Sequence, residues 1–120
     1  MGNMLDELSF GEFITVKRKQ LDMSLRQLSH TLSLSATYLS HVERGMRPAP
    51  TYENQVKIAD VLRLSEQEKE HFFDLAARTR IRNTIPLDIA EYIMHDKAVR
   101  VFLRTAIQLK YSGEDLLNLI

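Results

Sequence analysis

The spacing of apolar residues along this chain restricts it to helical structure. Apolar residues recur at intervals of three and four, which is the period of an α-helix with one buried face. The stretch 51–85 contains neither glycine nor proline, and the chain has no Asn-Gly or Asp-Gly dipeptide of the kind that joins two strands. The sequence therefore predicts an all-α protein.

The starts of the helices are marked by capping residues. A serine followed three residues later by an acid or an amide is a capping box, which satisfies free backbone N–H groups at a helix start. Four such pairs precede predicted helices: Ser9 with Glu12, Ser24 with Gln27, Ser65 with Glu68, and Ser112 with Asp115. Four more helices are predicted to begin at single caps or at a proline: Ser35, Thr51, Pro86 and Asp96. On the helix after Thr51, we predict that Val56 and Ala59 face the core.

The charge of the chain is balanced overall and uneven locally. Sixteen basic residues balance 16 acidic ones, which argues against an indiscriminate coat for nucleic acid or membrane. Residues 15–50, however, hold six lysines and arginines against only two acids. A neutral chain with one basic segment suits a selective binder.

Several classes of protein are disfavoured by what the sequence lacks. Cysteine is absent, which removes disulfides, thiol nucleophiles and cysteine-ligated zinc. No long apolar stretch or secretory signal is present, so we expect a cytoplasmic protein. Glu68 and His71 have the spacing of a di-iron motif, but their neighbours are polar and no second motif of that spacing follows. We therefore expect no metal, no cofactor and no enzymatic activity.

Two short helices in the basic segment are joined by only Ser33 and Leu34. Helices so short and so tightly connected cross steeply, as in a helix-turn-helix. In that motif the second helix lies in the major groove of DNA. Apart from the inward Leu39 and Val42, this second helix presents small polar side chains and ends in Arg44. Small side chains let a helix approach the floor of the groove.

The segment 24–50, SLRQLSHTLSLSATYLSHVERGMRPAP, resembles the Cro/C1-type helix-turn-helix regulators, the XRE family. The resemblance covers about residues 10–63. It implies a lambda-repressor-like five-helix DNA-binding domain with a helical C-terminal extension. We place the domain at residues 1–64 and the extension, a region for dimerisation or partner binding, at residues 65–120.

The resemblance also implies roles for individual residues. The expected base contacts are Ala36, Thr37, Tyr38, Ser40 and His41. The expected phosphate contacts are Arg26, Ser35, Arg44 and Arg47, to which we add Lys17, although a plain surface charge is the alternative for that lysine. Glu43 matches a position that pairs with an arginine of the first helix, here Arg18. The family commonly has glycine at position 33, because the backbone there is left-handed, and we expect Ser33 to cost about 1 kcal/mol in that conformation.

The C-terminal half carries more apolar residues than a short helical hairpin needs for itself. We predict a dimer or partner interface there, formed by Val99, Phe102, Leu103, Ala106, Leu116, Leu117 and Ile120. The resulting hypothesis is a dimeric repressor that binds double-stranded DNA at a palindromic operator. The alternative is a protein-binding regulator, such as an antitoxin or a module responsive to an antirepressor or a peptide, whose C-terminal half captures a protein partner.

Overall fold

A computed structural model describes residues 7–80 and 85–120, and this part of the chain is helical, without strands. Its helices are α1 (Phe10–Gln20), α2 (Leu25–Leu32), α3 (Ala36–Glu43), α4 (Tyr52–Val61), α5 (Glu66–Arg78), α6 (Leu87–His95), α7 (Lys97–Gln108) and α8 (Gly113–Leu117). The predicted all-α class is confirmed.

The four predicted capping boxes close in both directions. At the start of α1, the backbone N–H of Glu12 donates to Ser9 Oγ over 3.2 Å, and that of Ser9 donates to Glu12 Oε1 over 3.0 Å. The same reciprocal pair of bonds opens α2, α5 and α8. Each box satisfies backbone donors that have no acceptor inside the helix. The helix starts predicted from these serines are confirmed.

The chain divides into two compact units after Leu87, and α5 belongs to the first of them. Phe72 of α5 is fully buried, with its ring centroid 5.0 Å from that of Phe10 and 6.0 Å from that of Phe13. The first unit therefore extends beyond residue 64, where the helix-turn-helix pattern alone places the boundary. The physical reason is that α1 buries its aromatic side chains against α5.

The buried face of α4 differs from the prediction at three positions, Gln55, Val56 and Ile58. Gln55, Ile58 and Ala59 are buried, whereas Val56 is only partly buried and packs at the edge of the core. Gln55 enters the core because its Nε2 donates to the Pro50 carbonyl over 2.8 Å. A polar residue with a backbone partner is not visible in an apolar pattern.

The second unit, Asp88–Ile120, has almost no core of its own. Among its residues, all of which are described, only Ala106 is buried. Arg100 joins α7 to the end of α6, because its Nη1 donates to the carbonyls of Ile93 and Met94 over 2.7 Å each. A unit this small that buries so little apolar surface needs additional contacts for stability.

The described helices are all too short or too polar to cross a membrane. Within residues 7–80 and 85–120, histidine, aspartate and glutamate side chains form no group of three or more that could hold a metal ion.

Candidate nucleic-acid interface

The turn between α2 and α3 is closed by backbone hydrogen bonds. Ser33 lies in the left-handed region, with φ 57° and ψ 37°, as the family resemblance implies. Its N–H donates to the His30 carbonyl over 3.1 Å, and the N–H of Leu34 donates to the Ser29 carbonyl over 2.9 Å. These bonds satisfy carbonyls at the end of α2 and let α3 begin directly after its cap, Ser35.

Replacing Ser33 by glycine is expected to stabilise the protein. Glycine adopts the left-handed conformation without the steric cost of a Cβ, and we expect a gain of about 0.5–1 kcal/mol in the free energy of unfolding. Urea denaturation measures the change. As a control, Ser40→Gly in the middle of α3 is expected to lose a similar amount, because there the backbone is helical. A loss of stability in Ser33→Gly would contradict the prediction.

The end of α3 is set by Gly45. Its φ is 77°, its N–H donates to the Val42 carbonyl, and the N–H of Met46 donates to the His41 carbonyl over 2.8 Å. This is the left-handed stop that the sequence indicates, and it ends α3 at Glu43. The chain leaves α3 in a loop that carries Arg44 and Arg47.

The outer face of α3 presents most of the residues predicted to contact bases. Those residues are Ala36, Thr37, Tyr38, Ser40 and His41. Leu39 and Val42 are fully buried, so they determine which side of α3 faces outward. On that side Thr37 is exposed and Ser40 is half-exposed, whereas Tyr38 packs partly against the core. The face is small and polar, as a groove-binding helix requires.

Exposed groups suited to phosphate contact lie at the start of α2 and at both ends of α3. Arg26 lies in the first turn of α2, and Arg44 and Arg47 follow α3; all three are exposed and form no ion pair with any described residue. Ser35 Oγ accepts from the N–H of Tyr38 over 3.0 Å, and its hydroxyl proton remains available to donate. Helix starts and arginines are the usual contacts of a DNA backbone.

Lys17 does not belong with these groups. Its Nζ lies 2.6 Å from Glu68 Oε2, and both side chains are largely buried between α1 and α5. The lysine charge is thus neutralised within the fold. We therefore leave Lys17 out of the interface. Its charge suggested a phosphate contact, and its position in the sequence did not indicate that it pairs with Glu68.

The Lys17–Glu68 pair makes stability depend on pH. The hydrogen bond from Lys17, followed by that from the Ser65 N–H, lowers the pKa of Glu68 below its ordinary value of 4.5. A carboxylate with a lowered pKa stabilises the fold above its unfolded pKa, and this contribution is lost as the pH falls through its folded pKa. As the pH is lowered below about 4.5, we expect the free energy of unfolding to fall less in Lys17→Met than in the native protein. Urea denaturation at several pH values tests this, with Lys57→Met, from an exposed pair, as the control.

Arg18 and Glu43, the pair expected from the resemblance, join α1 to the end of α3. Arg18 Nε donates to Glu43 Oε2 and Arg18 Nη2 donates to Glu43 Oε1, both over 2.9 Å. The side chains are only 10% and 8% exposed. Thr15 Oγ1 lies 2.8 Å from Glu43 Oε1 and 3.0 Å from the Gly11 carbonyl oxygen, and its one proton is shared between these two acceptors. The carboxylate therefore fixes α3 relative to α1.

Gly11 marks the closest approach of α1 to α3. A Cβ at this position would lie 2.3 Å from the Glu43 carbonyl oxygen and 2.5 Å from that of Val42. Only glycine allows the two backbones to approach this closely. Sequence reasoning missed both Gly11 and Thr15, although a glycine and a threonine four residues apart share one face of α1.

The predicted dimer or partner residues lie in the second unit and are mostly accessible. Phe102 is 52% exposed, Leu117 is 66% exposed and Ile120 is fully exposed, whereas Ala106 is buried. Val99, Leu103 and Leu116 are half-buried. A cavity of about 510 Å³ lies beside them and is lined by Tyr92, Asp96, Ala98, Val99, Phe102 and Leu103. Most of this apolar surface is exposed or half-buried.

Comparison with known proteins gives a family match for the first unit. Residues 16–69 match the model of a helix-turn-helix family. Two curated relatives are "Uncharacterized HTH-type transcriptional regulator" proteins of Mycobacterium tuberculosis, from strains CDC 1551 / Oshkosh and H37Rv. Each is 32% identical over 83 residues, which is 67% of this chain and 59% of the relative. The chain thus spans less than two thirds of their length, and no solved structure gives a significant match. The match confirms the predicted resemblance and the lambda-repressor-like fold.

Proposed function

Because residues 16–69 match the model of a helix-turn-helix family, we propose that this protein is a DNA-binding transcriptional regulator that places α3 in the major groove. The observation that carries the proposal is the exposed polar face of α3, flanked by Arg26, Arg44 and Arg47 without carboxylate partners in the described chain. Positive groups around a neutral reading face are the arrangement that DNA recognition needs.

Within this proposal the two sets of residues have different tasks. Thr37 and Ser40 bond base edges with their hydroxyls, with Ala36, Tyr38 and His41 contributing from the same helix. The Ser35 hydroxyl and the three arginines bond phosphates, which determines the position of α3 and carries no sequence information.

One copy of α3 discriminates too weakly to select a single site. A good base contact contributes about 1–3 kcal/mol, and a genome offers about a million or more competing sites. We therefore infer a homodimer on a palindromic operator whose half-sites lie about 34 Å apart, or one helical turn. Occupancy of a promoter by such a dimer excludes polymerase, so the dimer acts as a repressor.

The second unit offers the surface for the second copy. Charged residues of both signs accompany its exposed apolar residues. The helix α7 carries Lys97 and Arg104, and α8 carries Glu114 and Asp115. A surface with both signs does not repel a second copy of itself. Pairing would bury Phe102 and Leu117, which a monomer leaves in water.

A second candidate function rests on the same exposed surface. The second unit is then a module that captures a protein partner, as in an antitoxin or an antirepressor-responsive regulator. We rank this candidate lower because the tail is helical, whereas a toxin-wrapping segment is a disordered or strand-forming tail.

Selection of bound duplexes from a random DNA pool tests the proposal. We expect one palindrome with the native protein, and at least tenfold weaker binding with relaxed sequence preference for Thr37→Ala/Ser40→Ala, because two base contacts are lost. Recovery of no motif at low salt would contradict DNA recognition. In a reporter carrying the recovered palindrome within its promoter, the native protein is expected to lower transcription.

The same selection tests the dimer. Phe102→Glu introduces a charge into the apolar surface and is expected to recover single half-sites, while Gln108→Glu on the same helix should behave as the native protein. Sedimentation of the native protein should give twice the 13.9 kDa chain mass. A native monomer that binds another protein would favour the second candidate function instead.

A further inference from the structure

The loop between α3 and α4 is held by two residues at the end of α5. The buried N–H of Ala49 donates to Thr79 Oγ1 over 2.9 Å. Arg80 Nη2 donates to the Ala49 carbonyl over 2.9 Å. Both polar groups of the Ala49 backbone are thus bonded by α5-end side chains, and we call Thr79 and Arg80 the α5 clamp.

The orientation of Thr79 is fixed by a second bond. Its hydroxyl donates its one proton to the Ala76 carbonyl over 2.7 Å, so Oγ1 can serve only as acceptor for the N–H of Ala49. The next residue of the loop, Pro50, is bonded by Gln55 of α4. The loop is therefore tied at its end, close to the start of α4.

The tied end lies next to the arginines of the proposed interface. Ala49 follows Arg47 by two residues, and Gly45 ends α3 on the other side. The segment between these two points has only Met46, Arg47 and Pro48, all exposed. The positions of Arg47 and Pro48 therefore depend on the bonds to Ala49.

We infer that Thr79 and Arg80 are positioning residues for phosphate contact by Arg47. This inference rests on the proposed function and extends it beyond residues 16–69, because both clamp residues lie outside the matched segment. The clamp touches no base-reading residue of α3. It sets the strength of binding and leaves the preferred sequence unchanged.

The test measures DNA affinity at several salt concentrations for the native protein, Thr79→Val and Thr79→Ser. Thr79→Val removes the acceptor without changing any charge. We expect at least fivefold weaker binding to the selected operator, with a salt dependence reduced by about one phosphate contact, that is by about 0.9 in the slope of log K against log salt. Thr79→Ser keeps the hydroxyl and is expected to bind as the native protein.

Arginine variants separate positioning from charge. Arg80→Gln is expected to weaken binding more than Arg78→Gln, because Arg78 has the same charge at the same helix end and makes no hydrogen bond to the loop within the described residues. Equal effects of the two variants would overturn the inference, since charge alone would then account for them. In an Arg44→Ala/Arg47→Ala background, Thr79→Val should have no further effect on affinity.

Amide hydrogen exchange of the free protein reports on the clamp without DNA. In Thr79→Val we expect the Ala49 amide to exchange at least tenfold faster, while the Leu39 and Val42 amides of α3 stay as protected as in the native protein. Unchanged affinity and salt dependence in Thr79→Val would overturn the inference and leave the proposed function standing. Absence of any DNA affinity in the native protein would overturn both.

Discussion

Gly11→Ala is expected to lower the free energy of unfolding by about 2–4 kcal/mol. The added Cβ would lie 2.3 Å and 2.5 Å from two backbone carbonyl oxygens at the end of α3, which cannot rotate away as a side chain can. Alanine favours a helix by about 1 kcal/mol over glycine, and this gain offsets only part of the clash. Because α3 must move away from α1, DNA affinity is expected to fall as well. Urea denaturation and operator binding measure the two effects.

Gly113→Ala is the matched control for this change. Gly113 also lies in the first turn of a helix, and nothing stands within 4 Å of a Cβ placed there. We expect no loss of stability for Gly113→Ala. If Gly11→Ala is as stable as the native protein, the close contact between α1 and α3 does not exist in solution.

Glu43→Ala is expected to cost about 3–5 kcal/mol in the free energy of unfolding. The change leaves the largely buried guanidinium of Arg18 without its bidentate acceptor and removes one of the two acceptors of the Thr15 hydroxyl. An exposed pair lacks this cost, because water replaces the missing partner. Glu53→Ala, which removes the exposed partner of Lys57, is therefore expected to change stability by less than about 1 kcal/mol.

A double variant separates the pair from its packing. Arg18→Met/Glu43→Leu replaces both charges by apolar side chains, and we expect it to be more stable than Glu43→Ala, since no unpaired buried charge remains. Operator affinity of this double variant shows whether the ion pair also holds α3 in register for DNA. If Glu43→Ala unfolds no more readily than Glu53→Ala, the Arg18–Glu43 bonds are not formed in solution.

The sequence alone determined where the helices begin and how α3 ends. The capping boxes at Ser9 and Ser24 and the stop at Gly45 depend on residues within five positions of one another. The residue types that make such short-range bonds stand at fixed spacings, so the bonds can be predicted from the sequence. Helical periodicity then indicated which side of α3 faces outward, because Leu39 and Val42 face the core.

Tertiary structure alone decided which charged side chains remain available to bind DNA and which helices come into backbone contact. Lys17 meets Glu68 across 51 positions, and Ala49 meets Thr79 across 30. Neither partner can be read from local spacing, since each depends on how α5 packs against α1 and the loop after α3. The approach of α1 to α3 requires Gly11, and the packing of α5 against α1 draws α5 into the first unit. Local hydrogen bonds determine where the helices begin and end. Burial of apolar surface between distant segments determines which helices pack against each other.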